Sequence, residues 1–335
     1  MEKAESIEIA GYPKTEAGSA FVEFHTYESG GAREFLLKQD FRHLIFARQW
    51  FAAGSLLENL PPTDRVGPIL AEIRQWGFPF GSFVLEVADT NEARDYLHFC
   101  HKFTGAMRRA LGEAQLLRDE IGLPRLHIFF LDSTRCYVGI SYPGNSAPWC
   151  MGIPGLTIPK EAPSRSSLKL LEAWHRFIPA DEWEHELMGS MRAVDLGAAP
   201  GGWTAMLVMR SIFVTAIDNG PLDSRLAQSP LVEHLRVDGF TYRPPKPVDW
   251  VVCDMVEQPS RIARLMAVWL AKGWSRRALF NLKLPMKKRY QELNRCRDII
   301  AAELQSGRFN PILQIKHLYH DREEVSAYLR LGKNF

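Results

Sequence analysis

The amino-acid sequence predicts an α/β protein in two parts: a small α+β unit, then a mostly parallel sheet with helices on both faces. Three observations carry that reading. From Ser166 onward, short runs rich in Val, Ile and Leu alternate with segments of helical spacing, which is the pattern of βαβ units. Before that stretch the order is helix, strand, helix, strand, strand, which makes a compact sheet covered on one side. Between the two lies SYPGNSAPWCMGIPGLTIPKEAPSRSS, residues 141–167, whose Pro, Gly and Ser content marks a linker.

In chain order, IEIAGY and FVEFHTY within residues 1–60 read as short strands about a turn, and an apolar run, LIFARQWFAAGSLL, starts at Leu44. TDRVGPILAEIRQW, from Thr63, spaces its apolar residues by three and four and reads as a helix. SFVLEVA is a strand. TNEARDYLHFCHKFTGAMRRALGEA is a helix capped by Thr90, with Glu92 and Asp95 early and Arg108 and Arg109 late, as the helix dipole prefers. RLHIFFL and RCYVGIS are strands about a turn at Asp132–Ser133–Thr134. After the linker come the helix SSLKLLEAWHRFI and the strands AVDLG, SIFVTAID, VEHLRV, VDWVVCD and ALFNLKL. Helices GWTAMLVMR, SRIARLMAVWLAKGW and MKKRYQELNRCRDIIAAELQS fall among them, and PILQIKHLY and EVSAYLRL close the series as strands.

Composition narrows the function. With 41 basic and 39 acidic residues the net charge is only +2, so any nucleic-acid surface has to be a local patch. The five cysteines form no CxxC pair, which argues against a zinc site and a disulfide framework and suits a reducing cytosol. No run approaches the ~20 apolar residues of a membrane span. The opening residues lack the apolar core of a secretory signal. A cytoplasmic location without membrane contact is the expectation.

The chemistry concentrates at one turn, Asp195-Leu196-Gly197-Ala198-Ala199-Pro200-Gly201-Gly202-Trp203-Thr204. It follows a buried strand and opens a helix, and its small residues allow close backbone approach to a ligand. Taken alone it reads equally as a tight strand-to-helix turn. It is neither the dinucleotide fingerprint nor a P-loop, because its glycines are misplaced and no Lys-Ser/Thr follows Gly202. Asp218 ends the second strand, where a carboxylate can accept both ribose hydroxyls. Asp238 follows the third strand, in reach of an adenine amino group, and Asp254 ends the fourth. Each aspartate alone reads as a solvated strand end or cap. Together with Asp195, four acidic strand ends around one glycine turn suit a cationic nucleoside without phosphate, and S-adenosylmethionine answers that description.

The pattern D-x-G-A-x-P-G-G-W resembles the FtsJ-like RNA ribose 2′-O-methyltransferases. The likeness continues through Ser164–Leu170, Cys253-Asp254-Met255, Phe280-Asn281-Leu282-Lys283-Leu284-Pro285 and Asp321–Val325, and runs from about Asp40 to Arg330. It points to a THUMP-containing branch of the family that methylates a cytidine of bacterial 23S ribosomal RNA. The resemblance implies a Rossmann-like methyltransferase domain over 164–335 and a linker over 146–163. Ahead of these it implies a THUMP-like RNA-binding domain over 61–145 and a ferredoxin-like subdomain over 1–60. It implies S-adenosylmethionine as cofactor, held by Ser166, Gly197, Ala199, Pro200, Gly201, Gly202, Asp218, Asp238 and Asp254. It also implies a catalytic tetrad of Lys169, Asp254, Lys283 and Glu324, with no metal.

The residue types fit the chemistry. A ribose hydroxyl attacks only as its proton leaves, and a lysine takes that proton only if its pKa falls from ~10.4 toward neutral. Lys283, within the apolar FNLKLP, is the expected base. Lys169 is the neighbouring cation, and Asp254 and Glu324 fix both ammonium groups while raising their pKa. The sign of the net shift stays open at this level. Glu324 is favoured over Glu323 because its place before Val325 matches the family motif. Arg165, Lys287, Lys288 and Arg289 are candidate phosphate contacts, with MKKRY starting a helix; the plain alternative is a solvated helix face. Arg42, Arg48, Lys102, Arg108 and Arg109 are weaker candidates, and Trp149 either stacks on a base or packs. The expected partner is 23S RNA, free or in early assembly, with no obligate protein partner. Two other classes stay open: a base methyltransferase, although neither an N/D-P-P-Y motif nor a Pro-Cys nucleophile is present, and a non-catalytic RNA-binding assembly factor.

Overall fold

The computed structural model describes residues 14–18, 20–25, 31–304 and 310–332. The predicted strand IEIAGY lies outside the described residues. The chain divides into two compact units, 1–154 and 155–335.

The first unit opens with an antiparallel hairpin, β1 (Lys14–Gly18) and β2 (Phe21–Phe24), followed by helix α1 (Gly31–Lys38). Its main sheet comprises β3 (Ala52–Leu57), β4 (Ser82–Val87), β5 (Arg125–Phe130) and β6 (Cys136–Ser141) in the order β3-β6-β5-β4. Helices α2 (Val66–Arg74) and α3 (Asn91–Glu113) connect these strands. Thr90 caps α3, its side chain accepting from Ala93 N at 3.1 Å. Phe80, Met107, Leu111, Leu126, Ile128 and Val138 close the core between sheet and helices. The predicted turn forms because Asp132 Oδ1 accepts from Thr134 N at 2.8 Å, replacing a backbone partner. The run from Leu44 is a strand only from Ala52; Phe41, Leu44 and Ala147 instead form a small cluster against which Trp50 and Trp149 pack. Trp149 is thereby a packing residue of its own unit. Arg48 pairs with Asp89 at 3.0 Å and Arg42 with Asp40 at 2.7 Å.

The second unit begins with α4 (Ser167–Phe177) and a single turn, α5 (Trp183–Glu186). Then follow β7 (Arg192–Leu196), α6 (Gly202–Met209), β8 (Phe213–Ile217), α7 (Ser224–Ala227) and β9 (Val232–Leu235). β10 (Val248–Cys253), α8 (Pro259–Ala271), β11 (Ser275–Lys283), α9 (Arg289–Leu304), β12 (Pro311–Lys316) and β13 (Glu324–Leu331) complete it. The seven strands lie in the order β12-β13-β11-β10-β7-β8-β9. β7 to β11 are mutually parallel, and β13 runs antiparallel to both its neighbours. Val251, Val252, Ala278, Leu279 and Phe280 are fully buried, as parallel strands covered on both faces must be. The strand order reverses between β7 and β10, so the carboxyl ends of these two strands frame the crevice where such sheets bind ligands. The predicted helix begins three residues into MKKRY: α9 starts at Arg289, preceded by Lys288 in a left-handed conformation, φ 59°, whose carbonyl accepts from Glu292 N at 3.1 Å.

Candidate active site

The glycine turn leaves β7 at that crevice. Gly197 has φ 81°, a conformation a side chain resists, and a Cβ on it would come 2.7 Å from Met255 Cγ. A Cβ on Gly202 would overlap the hydroxyls of Ser164 and Ser166. Those two hydroxyls lie 2.7 Å apart, and Trp203 Nε1 donates to Ser166 O at 3.0 Å. The turn is thus a bare backbone cradle with Ser166 against it. Ala199 and Pro200 span its middle, and Gly201 starts α6 with φ 115°.

The four aspartates separate into different roles. Asp195 is not at a strand end: it lies within β7, 1% exposed, with Oδ2 accepting from Thr204 Oγ1 at 2.7 Å. Burial pushes its pKa up to about 7. Its Oδ1 is buried with no partner among the described residues. Asp218 accepts from Ala199 N at 3.0 Å and from Gly220 N at 2.7 Å, so it pins the glycine turn to the end of β8. Asp238, after β9, is exposed and accepts from Phe240 N at 2.9 Å. Asp254, directly after β10, is met by two lysines.

Lys283 Nζ lies 2.6 Å from Asp254 Oδ1 and is also paired with Glu324. Lys169 Nζ is 3.3 Å from Asp254 Oδ2 and is paired with the other oxygen of Glu324. Two lysines and two carboxylates therefore form one closed set. Its members come from α4, the ends of β10 and β11, and the start of β13. Of the two adjacent glutamates it is Glu324 that the lysines meet, its side chain 5% exposed, whereas that of Glu323 is 68% exposed and pairs with Arg289. For Lys283 burial alone would lower the pKa. The charge and hydrogen bond of Asp254 outweigh it, with Glu324 adding to them, and the ammonium is held above its ordinary value.

Behind the set lies a buried polar chain that sequence reasoning missed. Asn281 Nδ2 donates to Asp254 Oδ1 at 3.0 Å, and Ser326 Oγ donates to Asn281 Oδ1 at 3.0 Å. Ser326 Oγ also lies 3.3 and 3.2 Å from the two oxygens of Asp321. A hydroxyl has one proton, and the amide orientation demanded by the Asp254 carboxylate commits it to Asn281. For Asp321 to bond Ser326 as well, its carboxyl has to be the donor, which requires a proton on it. Burial agrees, raising its pKa well above the ordinary value. The signal available in sequence was Asn281 between Phe280 and Leu282, a polar residue where only a partnered one is tolerated. Glu172 fixes the neighbouring turn, accepting from Tyr319 N at 2.8 Å and His320 N at 2.9 Å.

Asp321→Asn should therefore retain activity, since its amide can donate to Ser326 while its carbonyl still accepts from Leu318 N. A carboxyl whose folded pKa is raised loses stability as pH rises from the unfolded value toward the folded one. The variant lacks that loss, so its melting-temperature advantage over the parent should be larger at pH 8 than at pH 5. Equal differences at both pH values would contradict a protonated Asp321.

Of the remaining candidates, Arg165, Lys287 and Lys288 are exposed in the second unit, and Lys102, Arg108 and Arg109 are exposed in the first, Arg108 lying over the Phe83 ring. All five cysteines are free, and the described residues contain no group of three or more metal-ligating side chains. No described helix is long and apolar enough to cross a membrane.

Residues 162–289 match the family described as FtsJ-like methyltransferase. Residues 64–142 match the N-terminal region of ribosomal RNA large subunit methyltransferase M, and residues 1–51 its ferredoxin-like domain, so the likeness extends ahead of Asp40. The ribosomal RNA large subunit methyltransferase M of Proteus mirabilis is 48% identical, over 98% of this chain and 91% of that protein. Its counterpart in Pseudomonas syringae pv. syringae is 49% identical over 98% of this chain and 91% of its own length. That of Vibrio parahaemolyticus is 47% identical over 100% and 94%.

Proposed function

The chain belongs to the ribosomal RNA large subunit methyltransferase M family and is an RNA methyltransferase, and we propose that it methylates the ribose 2′-hydroxyl of a cytidine in 23S ribosomal RNA. The observation that carries the reading is the closed Lys169–Asp254–Lys283–Glu324 set beside the glycine turn. Amino-group methylation has no use for two lysines held by two carboxylates; deprotonating and orienting a hydroxyl does.

S-adenosylmethionine fits the cradle. The bare turn at Gly197–Gly202 excludes side chains, and the unpartnered buried Asp195 Oδ1 suits a cationic amino donor better than a phosphate. When bound, the cofactor supplies a methyl group already activated by sulfonium. The residues of this chain then divide the work. Gly197, Ala199, Pro200, Gly201, Gly202 and Ser166 shape the cradle. Asp218 and Asp238 approach the ribose and adenine. Lys283 accepts the hydroxyl proton in the small fraction of molecules where it is neutral, Lys169 steadies the developing alkoxide, and Asp254 and Glu324 aim both lysine side chains. The first unit, as a THUMP-like domain with its ferredoxin-like subdomain, holds the RNA, which is recognised free or early in assembly. The expected compartment is the cytoplasm.

The test is to incubate 23S RNA with the protein and labelled S-adenosylmethionine and map the product. A single ribose-methylated cytidine is expected; a methylated base would overturn the reading. For the cofactor, Asp218→Ala should weaken binding by about 1–3 kcal/mol, the usual loss of a charged hydrogen-bond partner, because it also releases Ala199 N. Calorimetry giving an unchanged affinity would remove Asp218 from the site.

A further inference from the structure

Three apolar side chains stand far more exposed than any other among the described residues: Ile121 at 108%, Met286 at 90% and Val256 at 89%. Single exposed apolar residues are ordinary. The placement of two of these is not. Val256 follows Asp254 by two residues at the end of β10, and Met286 follows Lys283 by three at the end of β11. The two strands are parallel neighbours, Cys253 opposite Phe280, so both residues follow the carboxyl ends of adjacent strands, the ends that carry Asp254 and Lys283.

The chain is built to turn them outward. Met255 is tucked beneath the glycine turn, against Gly197 and Gly239, and its direct neighbour Val256 is left in solvent. Glu257, next along, is occupied by Arg261 at 2.5 Å. Pro285, Met286, Lys287 and Lys288 are all exposed, and neither lysine forms an ion pair among the described residues. The edge therefore presents two apolar contacts and two uncommitted cations beside a proton-accepting set.

We infer that Val256 and Met286 form an apolar lip that takes the base of the unstacked target nucleotide while Lys287 and Lys288 hold its flanking phosphates. A protein singles out one nucleotide of RNA most readily where its base is splayed out of the stack. Unstacking exposes the apolar faces of the base, and a lip at the rim of the site offsets that loss. The charge fits the same occupant, because cations next to an apolar contact match a base flanked by phosphates. This inference rests on the ribose-methylation reading above.

The full-length Val256→Ser/Met286→Ser variant tests it. Both side chains are almost wholly in solvent, so its melting temperature and its affinity for S-adenosylmethionine should equal those of the parent. The methylated nucleotide is first mapped with the parent protein on 23S RNA. An oligonucleotide spanning that position, and the same oligonucleotide lacking that one base, are then compared. On the intact oligonucleotide kcat/KM should fall by about tenfold, the scale of two half-buried apolar contacts. On the abasic one parent and variant should be equal. Equal rates on the intact oligonucleotide would overturn the lip. An equal deficit on both would also overturn it, since the side chains would then serve the backbone or a protein partner. Absence of ribose methylation by the parent itself would instead sink the underlying reading.

Discussion

Lys283→Ala is expected to abolish methyl transfer while leaving S-adenosylmethionine binding largely intact. The ammonium at the end of β11 is the one group of the tetrad that meets Asp254 at 2.6 Å and Glu324 as well, at the edge next to the glycine cradle. Loss of general-base catalysis should cost about 10²–10⁴ in rate, and loss of hydroxyl placement adds to it. Lys283→Arg should fail nearly as badly, because a guanidinium keeps its proton. The pH dependence has a definite sign. With the pKa held above its ordinary 10.5, the reactive neutral amine is a small fraction at pH 7, and that fraction grows with every step toward alkaline pH. Single-turnover rates at saturating cofactor should accordingly climb across pH 6.5 to 9. A flat profile, or near-parental rates for Lys283→Arg, would reduce the lysine to a positioning charge and send the search for the base elsewhere.

Asp254→Ala carries the second large effect. It leaves Lys283, Lys169 and Asn281 with donors aimed at one vacated acceptor, and only Glu324 to neutralise two ammonium groups. Removing one partner of such a set disorganises the rest, and transfer should fall by about 10²-fold or more. The residual activity is the informative part. Asp254 is the foremost of the influences that raise the Lys283 pKa, so its loss should move the alkaline rise of the rate to lower pH. A residual profile unshifted from that of the parent would mean that the aspartate does not govern the lysine's proton.

How much of this was legible beforehand varies residue by residue. FNLKLP announced a lysine in an apolar strand, and the sheet places it at a carboxyl end. That Lys169 and Glu324, more than 100 positions from each other in sequence, meet in one set with Asp254 and Lys283 came from the family resemblance, since spacing alone does not encode a contact across a sheet. Asp195 was misplaced because a one-letter pattern cannot tell the last inward residue of a strand from the first residue after it. The helix predicted from Met286 starts at Arg289, because composition marks that a helix is present but does not register a left-handed residue such as Lys288 at its start. Ser326 and Asp321 could not be read as a pair with Asn281, because that link depends on β13 running antiparallel beside β11.

That pairing has a consequence for what the lineage can change. Lys283 stands opposite Glu324 and Asn281 opposite Ser326, two rungs of one ladder, the outer reactive and the inner supporting. Strand geometry shows alternate residues to each face. Sliding β13 along β11 by one residue would turn both rungs over to the wrong face. Sliding it by two would restore the face and set Arg322 or Ser326 opposite Lys283. The register of β13 against β11 is thus held by both rungs at once, so the pair that reacts and the pair that supports it keep their places together.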